Sequence, residues 1–159
     1  MLQYAAKLTP GLPEEGGYTV TFRDVPEAIT DGETLEAALK YAAEALELAL
    51  EHYLDERRIS PAPTAKREGE YLIALPVSLS LKCALLNEMI RQDVRPAELA
   101  KRLKTSKQEV NRLTTLSHAT KVDRIAEAFH VLGKELIIKV ASWPFPGPKV
   151  RTWGTRRSR

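Results

Sequence analysis

The feature of this chain that most limits its fold is a 23-residue stretch, Thr34 to Glu56, in which apolar side chains recur every three or four residues. This spacing puts them on one face of an α-helix, which must pack against other elements. The apolar positions are Leu35, Leu39, Ala42, Leu46, Ala49, Leu50, Tyr53 and Leu54. The candidate protein-binding residues on the opposite, acidic face are Glu44, Glu47, Glu51 and Asp55. The pattern leaves open whether this face binds a protein or is merely solvated.

Strand-like segments lie on both sides of this helix. Strands are predicted at residues 2–8, 18–22, 28–30 and 70–75. The first two should form a hairpin, because the residues between them are rich in glycine and proline. Asp31 and Gly32 are predicted to form the turn before the helix. The first part of the chain is therefore expected to be a small β-sheet with one helix.

Beyond Pro76 the apolar spacing becomes helical throughout. Helices are predicted at residues 78–92, 96–104, 106–116 and 121–132, with Gly133 as the last stop and a short apolar strand at 134–140. The predicted fold class is α+β, with an amino-terminal sheet-and-helix domain followed by an all-α domain. The predicted limits are 1–77 for the first domain, 78–140 for the second and 141–159 for a basic, flexible tail.

Charge divides the chain at about the same place. Residues 1–79 hold 7 basic and 14 acidic side chains, net −7, whereas residues 80–159 hold 17 basic and 7 acidic ones, net +10. Two parts of opposite charge suggest two different partners. The basic part suits nucleic acid, and the acidic part suits a cationic protein.

Residues 96–116 have the spacing of a helix-turn-helix. Ala100 is small enough for two helices to approach closely, and Ser106 with Glu109 forms a capping-box pattern that marks the start of the second helix. Lys104 stands in the turn, where glycine is common, so it is expected to adopt a left-handed backbone conformation. The alternative is a plain helical hairpin with a solvated basic surface.

The start of the second helix carries side chains that can bind DNA. The candidate DNA-binding residues are the base-reading Lys107, Gln108, Asn111 and Arg112, the helix-start residue Ser106, and the phosphate contacts Lys101, Arg102, Lys104 and Lys121. One such helix reads too few base pairs for selective binding, so a homodimer or higher homo-oligomer is expected. Its candidate interface is residues 134–140 with the preceding helix, because so short an apolar strand needs a partner.

These segments, taken in order, resemble a known family. Residues 18–50, a strand, a Pro-containing turn and an acidic Ala- and Leu-rich helix, resemble the amino-terminal domain of HicB antitoxins. Residues 71–90, the helix-turn-helix and residues 116–140 resemble the subtype that carries a DNA-binding module. The resemblance implies a partial RNase H-like first domain that binds and neutralises a small basic HicA-type toxin, an mRNA interferase. It also implies a second domain that represses the shared operon by binding operator DNA.

Catalysis is not expected from these residues. Asp24 and Asp31 fall in predicted turns, so they are interpreted as turn formers and not as ligands of a catalytic metal. Cys83 lies on an apolar helix stripe and is expected to be a buried, inert thiol, although a dyad with His118 is conceivable. His52 and His130 lack a second ligand at metal-binding spacing. No catalytic residue, metal or cofactor is therefore predicted.

A single cysteine cannot form an intrachain disulfide, no secretory signal is recognisable, and no apolar run approaches about 18 residues, so a cytoplasmic protein without membrane contact is expected. Two other functions stay open at this point. One is a stand-alone transcriptional regulator whose first domain senses a ligand, and the other is an RNA-processing enzyme built on an RNase H-like scaffold.

Overall fold

The first part of the chain is a four-stranded antiparallel sheet. The computed structural model describes residues 1–139 with the exception of Pro13 and Glu15. The strands are β1 (Gln3–Pro10), β2 (Tyr18–Phe22), β3 (Ile29–Gly32) and β4 (Glu70–Ala74), in the order β3-β2-β1-β4. The predicted β1–β2 hairpin is confirmed, with Ala6 opposite Phe22. The late strand β4 pairs with the other edge of β1, where Tyr4 lies opposite Ile73.

Helix α1 (Leu35–Asp55) packs against this sheet, and its limits agree with the predicted ones within a residue. The Thr34 hydroxyl accepts a hydrogen bond from the Ala37 N–H at 3.1 Å, which caps the helix start. The buried side chains of α1 are Ala38, Ala42, Leu46, Ala49, Leu50, Tyr53 and Leu54. The acidic residues are thereby directed away from the sheet.

Gly32 has a different role from the one expected. Asp31 and Gly32 were predicted to form a turn, but β3 continues through Gly32 and the chain bends at Glu33 and Thr34. A Cβ atom on Gly32 would lie 2.4 Å from the Ala38 nitrogen, which is closer than any real contact. Glycine therefore allows the end of β3 to touch the first turn of α1.

The second part of the chain is helical, as predicted. Its helices are α2 (Val77–Arg91), α3 (Pro96–Arg102), α4 (Lys107–Thr114) and α5 (Val122–Val131). Their apolar faces form a cluster of buried residues that includes Leu85, Met89, Leu99, Val110, Leu113, Ile125, Ala128 and Phe129. The α+β fold class is thus confirmed. None of the described helices is long and apolar enough to cross a membrane.

Helix α2 belongs to two hydrophobic clusters. Leu79 and Cys83 pack into the cluster between the sheet and α1, whereas Leu85 and Met89 pack into the helical cluster. Leu116, which follows α4, also packs into the first cluster. The predicted domain boundary at 77/78 falls at the start of this shared helix, and the three domain limits stay predictions.

The predicted strand at 134–140 is wrong for the residues that the structure describes. Residues 134–139 are irregular, because no described strand lies beside them to form a ladder. Leu136 packs against the helical cluster, whereas Ile137 and Ile138 are 70% and 64% exposed. Val140 and the predicted tail at 141–159 lie outside the described residues.

Candidate nucleic-acid interface and acidic helix face

Helix α4 begins at a well-defined cap. The Ser106 hydroxyl accepts a hydrogen bond from the Glu109 N–H at 3.1 Å. Val110 and Leu113 are buried in the helical cluster, so the rest of the helix is directed outwards. The exposed side chains are the predicted base-reading residues Lys107, Gln108, Asn111 and Arg112. The structure therefore brings the candidate residues together on one surface.

The turn between α3 and α4 has the strained backbone that the sequence predicts. Lys104 has a φ of +50°, in the left-handed region that non-glycine residues rarely adopt. Its N–H donates to the Lys101 carbonyl at 3.1 Å, and the next N–H, of Thr105, donates to the Ala100 carbonyl at 3.0 Å. These bonds satisfy the last carbonyls of α3 and fix where α4 starts.

Two of the candidate DNA contacts are paired with carboxylates on their own helices. Arg112 binds Glu109 at 3.2 Å, and Arg102 binds Glu98 at 3.1 Å. The predicted capping box is therefore only half formed, because the Glu109 carboxylate turns to Arg112. Exposed pairs of this kind contribute little, so phosphates can compete for both arginines. Among the described ion pairs, none involves the other candidate cations, Lys101, Lys104, Lys107 and Lys121.

A cleft between α4 and the start of α5 extends the basic surface. Its lining includes Arg112, His118, Lys121 and Arg124. Lys121 is the residue before the first turn of α5, where the helix presents unpaired N–H groups. Lys121 and the helix start can therefore both face an anion such as a phosphate.

The carboxylates of α1 do not form one uniform stripe. Glu44 and Asp55 are exposed, whereas Glu47 and Glu51 are half-buried. Glu51 and Asp55 line a groove that also includes Asn111 of α4. One end of the acidic face is thus open to solvent, and the other end borders the candidate DNA-binding helix.

Two exposed apolar residues on α1 were missed by the sequence analysis. Tyr41 is 43% exposed and Leu48 is 69% exposed, and they are seven residues apart, on the same side of the helix as Glu44. The signal was available, because both positions fall outside the three- and four-residue spacing of the core. The exposed side of α1 therefore carries apolar as well as acidic side chains.

Lys82 was also missed. Its side chain is buried on α2, at 1% exposure, and its ammonium group donates to the carbonyls of Arg112 at 3.2 Å and Thr115 at 2.6 Å and to that of His118. These carbonyls lie at and just beyond the end of α4. The only sequence signal was a lysine three residues after Leu79 on an apolar helix face.

The structure shows what surrounds Cys83, Asp24 and Asp31, the residues considered above as possible catalysts. Burial, together with the negative charge of Glu47, raises the pKa of the buried Cys83 thiol to about 12, so the reactive thiolate is scarce at neutral pH. The Asp24 carboxylate accepts bonds from Thr64 of the connector between α1 and β4. Asp31 lies in β3, not in the predicted turn, and accepts a bond from Thr19 at 2.6 Å.

Within the described residues, no group of three or more His, Cys, Asp or Glu side chains is placed to hold a metal ion. His52 and His130 are exposed, and His52 lies 3.6 Å from Glu56 on its own helix. Neither histidine belongs to a described group of three or more such side chains.

Comparison with known proteins identifies the family. A family model described as the HicB-like antitoxin of bacterial toxin-antitoxin systems matches residues 3–84, just over half of the chain. The chain belongs to the HicB-like antitoxins. It is 40% identical to Antitoxin HicB of Escherichia coli strain K12 over 135 residues, which cover 85% of this chain and 96% of that protein.

Two other HicB-like antitoxins are similar to this chain in sequence over most of its length. Antitoxin HicB 2 of Photorhabdus laumondii is 45% identical over 77% of this chain and 87% of its own length. Antitoxin HicB of Pseudomonas fluorescens is 33% identical over 88% of this chain and 94% of its own length. The family match itself covers the sheet, α1 and half of α2. A match of 135 out of 159 residues must also include α3, α4 and α5.

Proposed function

We propose that this HicB-like antitoxin binds and neutralises a basic HicA-type toxin through its first part and represses its own operon through its second. The observation that carries the proposal is the division of the molecule. The residues matched by the antitoxin family, 3–84, contain the acidic helix, whereas the exposed cations and amides lie on a separate helix, α4.

The proposed toxin-binding surface is the open side of α1. A ribonuclease that binds RNA needs a cationic surface, and carboxylates complement such a surface. The proposed residues are Glu44, Glu47, Glu51 and Asp55, to which the structure adds the exposed Tyr41 and Leu48. The carboxylates would mainly accelerate association, and the apolar side chains would slow dissociation.

The proposed DNA-binding element is the pair α3 and α4, acting as a helix-turn-helix. Gln108 and Asn111 are suited to adenine, and Lys107 and Arg112 to guanine. Lys101, Arg102, Lys104 and Lys121 would bind phosphates, and Ser106 would fix the helix start. The proposed place of action is the cytoplasm, where both DNA and mRNA are found.

The proposed DNA-binding form is a homodimer. Ile137 and Ile138 lie in the irregular segment that follows α5, and they are exposed although they are apolar. A second chain that pairs with residues 134–139 would cover them and supply the missing ladder partner. This arrangement would place two copies of α4 on one DNA duplex.

Co-expression with the neighbouring gene product tests the proposal. A HicA-like reading frame beside this gene should encode a protein that stops growth when expressed alone and is neutralised by the full-length chain. The two proteins should then co-purify. Continued growth arrest despite co-expression of soluble chain would contradict the antitoxin role. A neighbour without toxicity would favour a stand-alone regulator.

A further inference from the structure

Lys82 is a buried lysine whose partners are all backbone carbonyls. Its ammonium group has three N–H donors, and the structure provides three acceptors, on Arg112, Thr115 and His118. Within the described residues, no ion pair involves Lys82. The charge is therefore balanced by the negative ends of peptide dipoles.

Those carbonyls are at the end of α4 and just after it. Thr115 is the residue after the last turn of α4, and its N–H donates to the Asn111 carbonyl at 2.9 Å. The last carbonyls of a helix have no partner within the helix and carry a partial negative charge. A cation at that position stabilises the helix end and also ties it to whatever element carries the cation, here α2.

The same segment is held from a second side. Leu116, next to Thr115, is 5% exposed and packs into the cluster formed by the sheet, α1 and the start of α2. Lys82 precedes Cys83, which is in that cluster too. The end of α4 is therefore attached to α2 by a polar contact and to the first hydrophobic cluster by an apolar contact.

We propose that Lys82 is a positioning residue for DNA reading, which sets the direction of α4 relative to the first hydrophobic cluster. This inference rests on the proposed DNA-binding function. An apolar residue of similar size would avoid the desolvation of a buried charge, but it would leave the three carbonyls without this donor. The ammonium group fixes three carbonyls at once, which an apolar side chain cannot do. Bases are read only when the reading helix is held to within a fraction of an ångström.

Lys82→Met tests this role against a matched control. Methionine keeps the apolar stem and removes the ammonium group. The control is Thr34→Ala, which weakens the cap of α1 far from α4 and so lowers stability without touching the contact. Both full-length variants are compared with the parent protein at a temperature where all are folded. The probes are a duplex of the DNA immediately upstream of the gene and a shuffled duplex of equal length and composition.

The expected result concerns the ratio of the two dissociation constants. Lys82→Met should lower the preference for the upstream duplex about ten-fold, the equivalent of one lost base contact, and should change binding to the shuffled duplex less than about two-fold. Thr34→Ala should leave the preference unchanged. Amide hydrogen exchange over residues 110–116 should accelerate in Lys82→Met and not in Thr34→Ala.

An unchanged preference in Lys82→Met would overturn the inference, and so would an equal loss in Thr34→Ala. If Lys82→Met does not fold, Lys82→Gln replaces it, because the glutamine amide keeps two donors. We then expect a smaller loss of preference for the upstream duplex. An unchanged preference in Lys82→Gln would again overturn the inference. A parent protein without any preference for the upstream duplex would instead contradict the proposed DNA-binding function.

Discussion

Three helices end on non-glycine residues with a left-handed backbone. Arg57 follows α1, Asp93 follows α2 and Lys104 follows α3, with φ values of 56°, 51° and 50°. Such a conformation costs about 1 to 2 kcal/mol for an L-residue. The first two residues bind each other, since Arg57 Nη2 lies 2.9 Å from Asp93 Oδ1, and so connect the ends of α1 and α2. Lys104 has no such contact among the described residues, and its position beside α4 agrees with a role in binding phosphate.

Glycine at position 104 should therefore stabilise the turn. We expect Lys104→Gly to be more stable than Lys104→Ala by about 1 kcal/mol, because glycine adopts a positive φ without the steric cost. Thermal or chemical unfolding of both variants measures the difference. Both variants lose the charge, so each should lower the slope of log affinity against log salt by about 0.9. Equal stability of the two would mean that the backbone at Lys104 is not strained in solution.

Asp24 makes stability depend on pH. Its burial acts to raise the pKa, but the hydrogen bonds from the Thr64 N–H and hydroxyl outweigh this and hold the pKa of Asp24 below its ordinary value. The carboxylate therefore binds protons less readily in the folded state than in the unfolded state. The contribution of Asp24 to the stability of the fold is fully present above its pKa in the unfolded state, about 4. It is lost as the pH falls through its lower pKa in the folded state.

The matching experiment compares the parent protein with Asp24→Asn. At pH 7 we expect the variant to be less stable by about 1 to 2 kcal/mol, since a charged hydrogen-bond acceptor is lost. The difference should shrink as the pH is lowered below about 4. Denaturant unfolding at several pH values measures it. A difference that stays constant down to pH 2 would show that ionisation of Asp24 is not involved.

At the scale of single elements, we expect α4 to contact bases and the neighbouring α3 to contact phosphates. Asn111→Ala should relax sequence preference by about 1 to 3 kcal/mol at one base pair while retaining most nonspecific affinity. Lys101→Ala, on the neighbouring α3, should weaken all sequences alike and lower the salt slope by about 0.9. Binding to a panel of single-base variants of the upstream duplex distinguishes the two. Identical profiles for both variants would refute the assignment of roles.

Helix α1 offers a corresponding test for toxin binding. Glu44→Lys should slow association at low salt, with a smaller effect at high salt, because long-range attraction is screened. Leu48→Ser should instead accelerate dissociation by about ten-fold, as expected for an apolar side chain worth about 1 to 2 kcal/mol at an interface. Surface plasmon resonance with the purified neighbouring toxin separates the two rates. Glu36→Lys, nearer the start of α1, is a control of equal charge change.

Local patterns predicted the elements of this fold but not all of their pairings. The helices follow from their apolar spacing and the β1–β2 hairpin from its glycine- and proline-rich loop, because both signals lie within short segments. The pairing of β4 with β1 joins Tyr4 to Ile73 across the whole first part, and the sequence contains no local signal for it. The prediction of a strand was wrong for the described residues 134–139 for the same reason, since apolar residues predict burial but do not identify a partner.

The candidate sites show the same limit. The spacing and caps of α3 and α4 predicted which side chains of α4 are exposed, and the structure places them together. The division of the acidic face could not be predicted, because Glu51 borders α4 only through the packing of distant helices. Lys82 was missed, and its place three residues after Leu79 on the helix could have indicated burial but not its carbonyl partners.

For the whole molecule, the oligomeric state is the main expectation. Replacing Ile137 and Ile138 with serine should convert the proposed dimer to a monomer at micromolar concentration, because their exposed side chains would form the interface. Sedimentation velocity measures the change. The matched control is Leu12→Ser, because Leu12 lies in the β1–β2 loop and is also exposed, at 57%. A parent protein that sediments as a monomer would remove the dimer proposal.

Because α2 contributes Leu79 and Cys83 to one cluster and Leu85 and Met89 to the other, the two halves of the gene are not freely exchangeable. A chimera of two relatives joined at Pro76 would pack the sheet of one parent against α2 of the other parent. Recombination that preserves function should therefore carry compensating changes at these four positions.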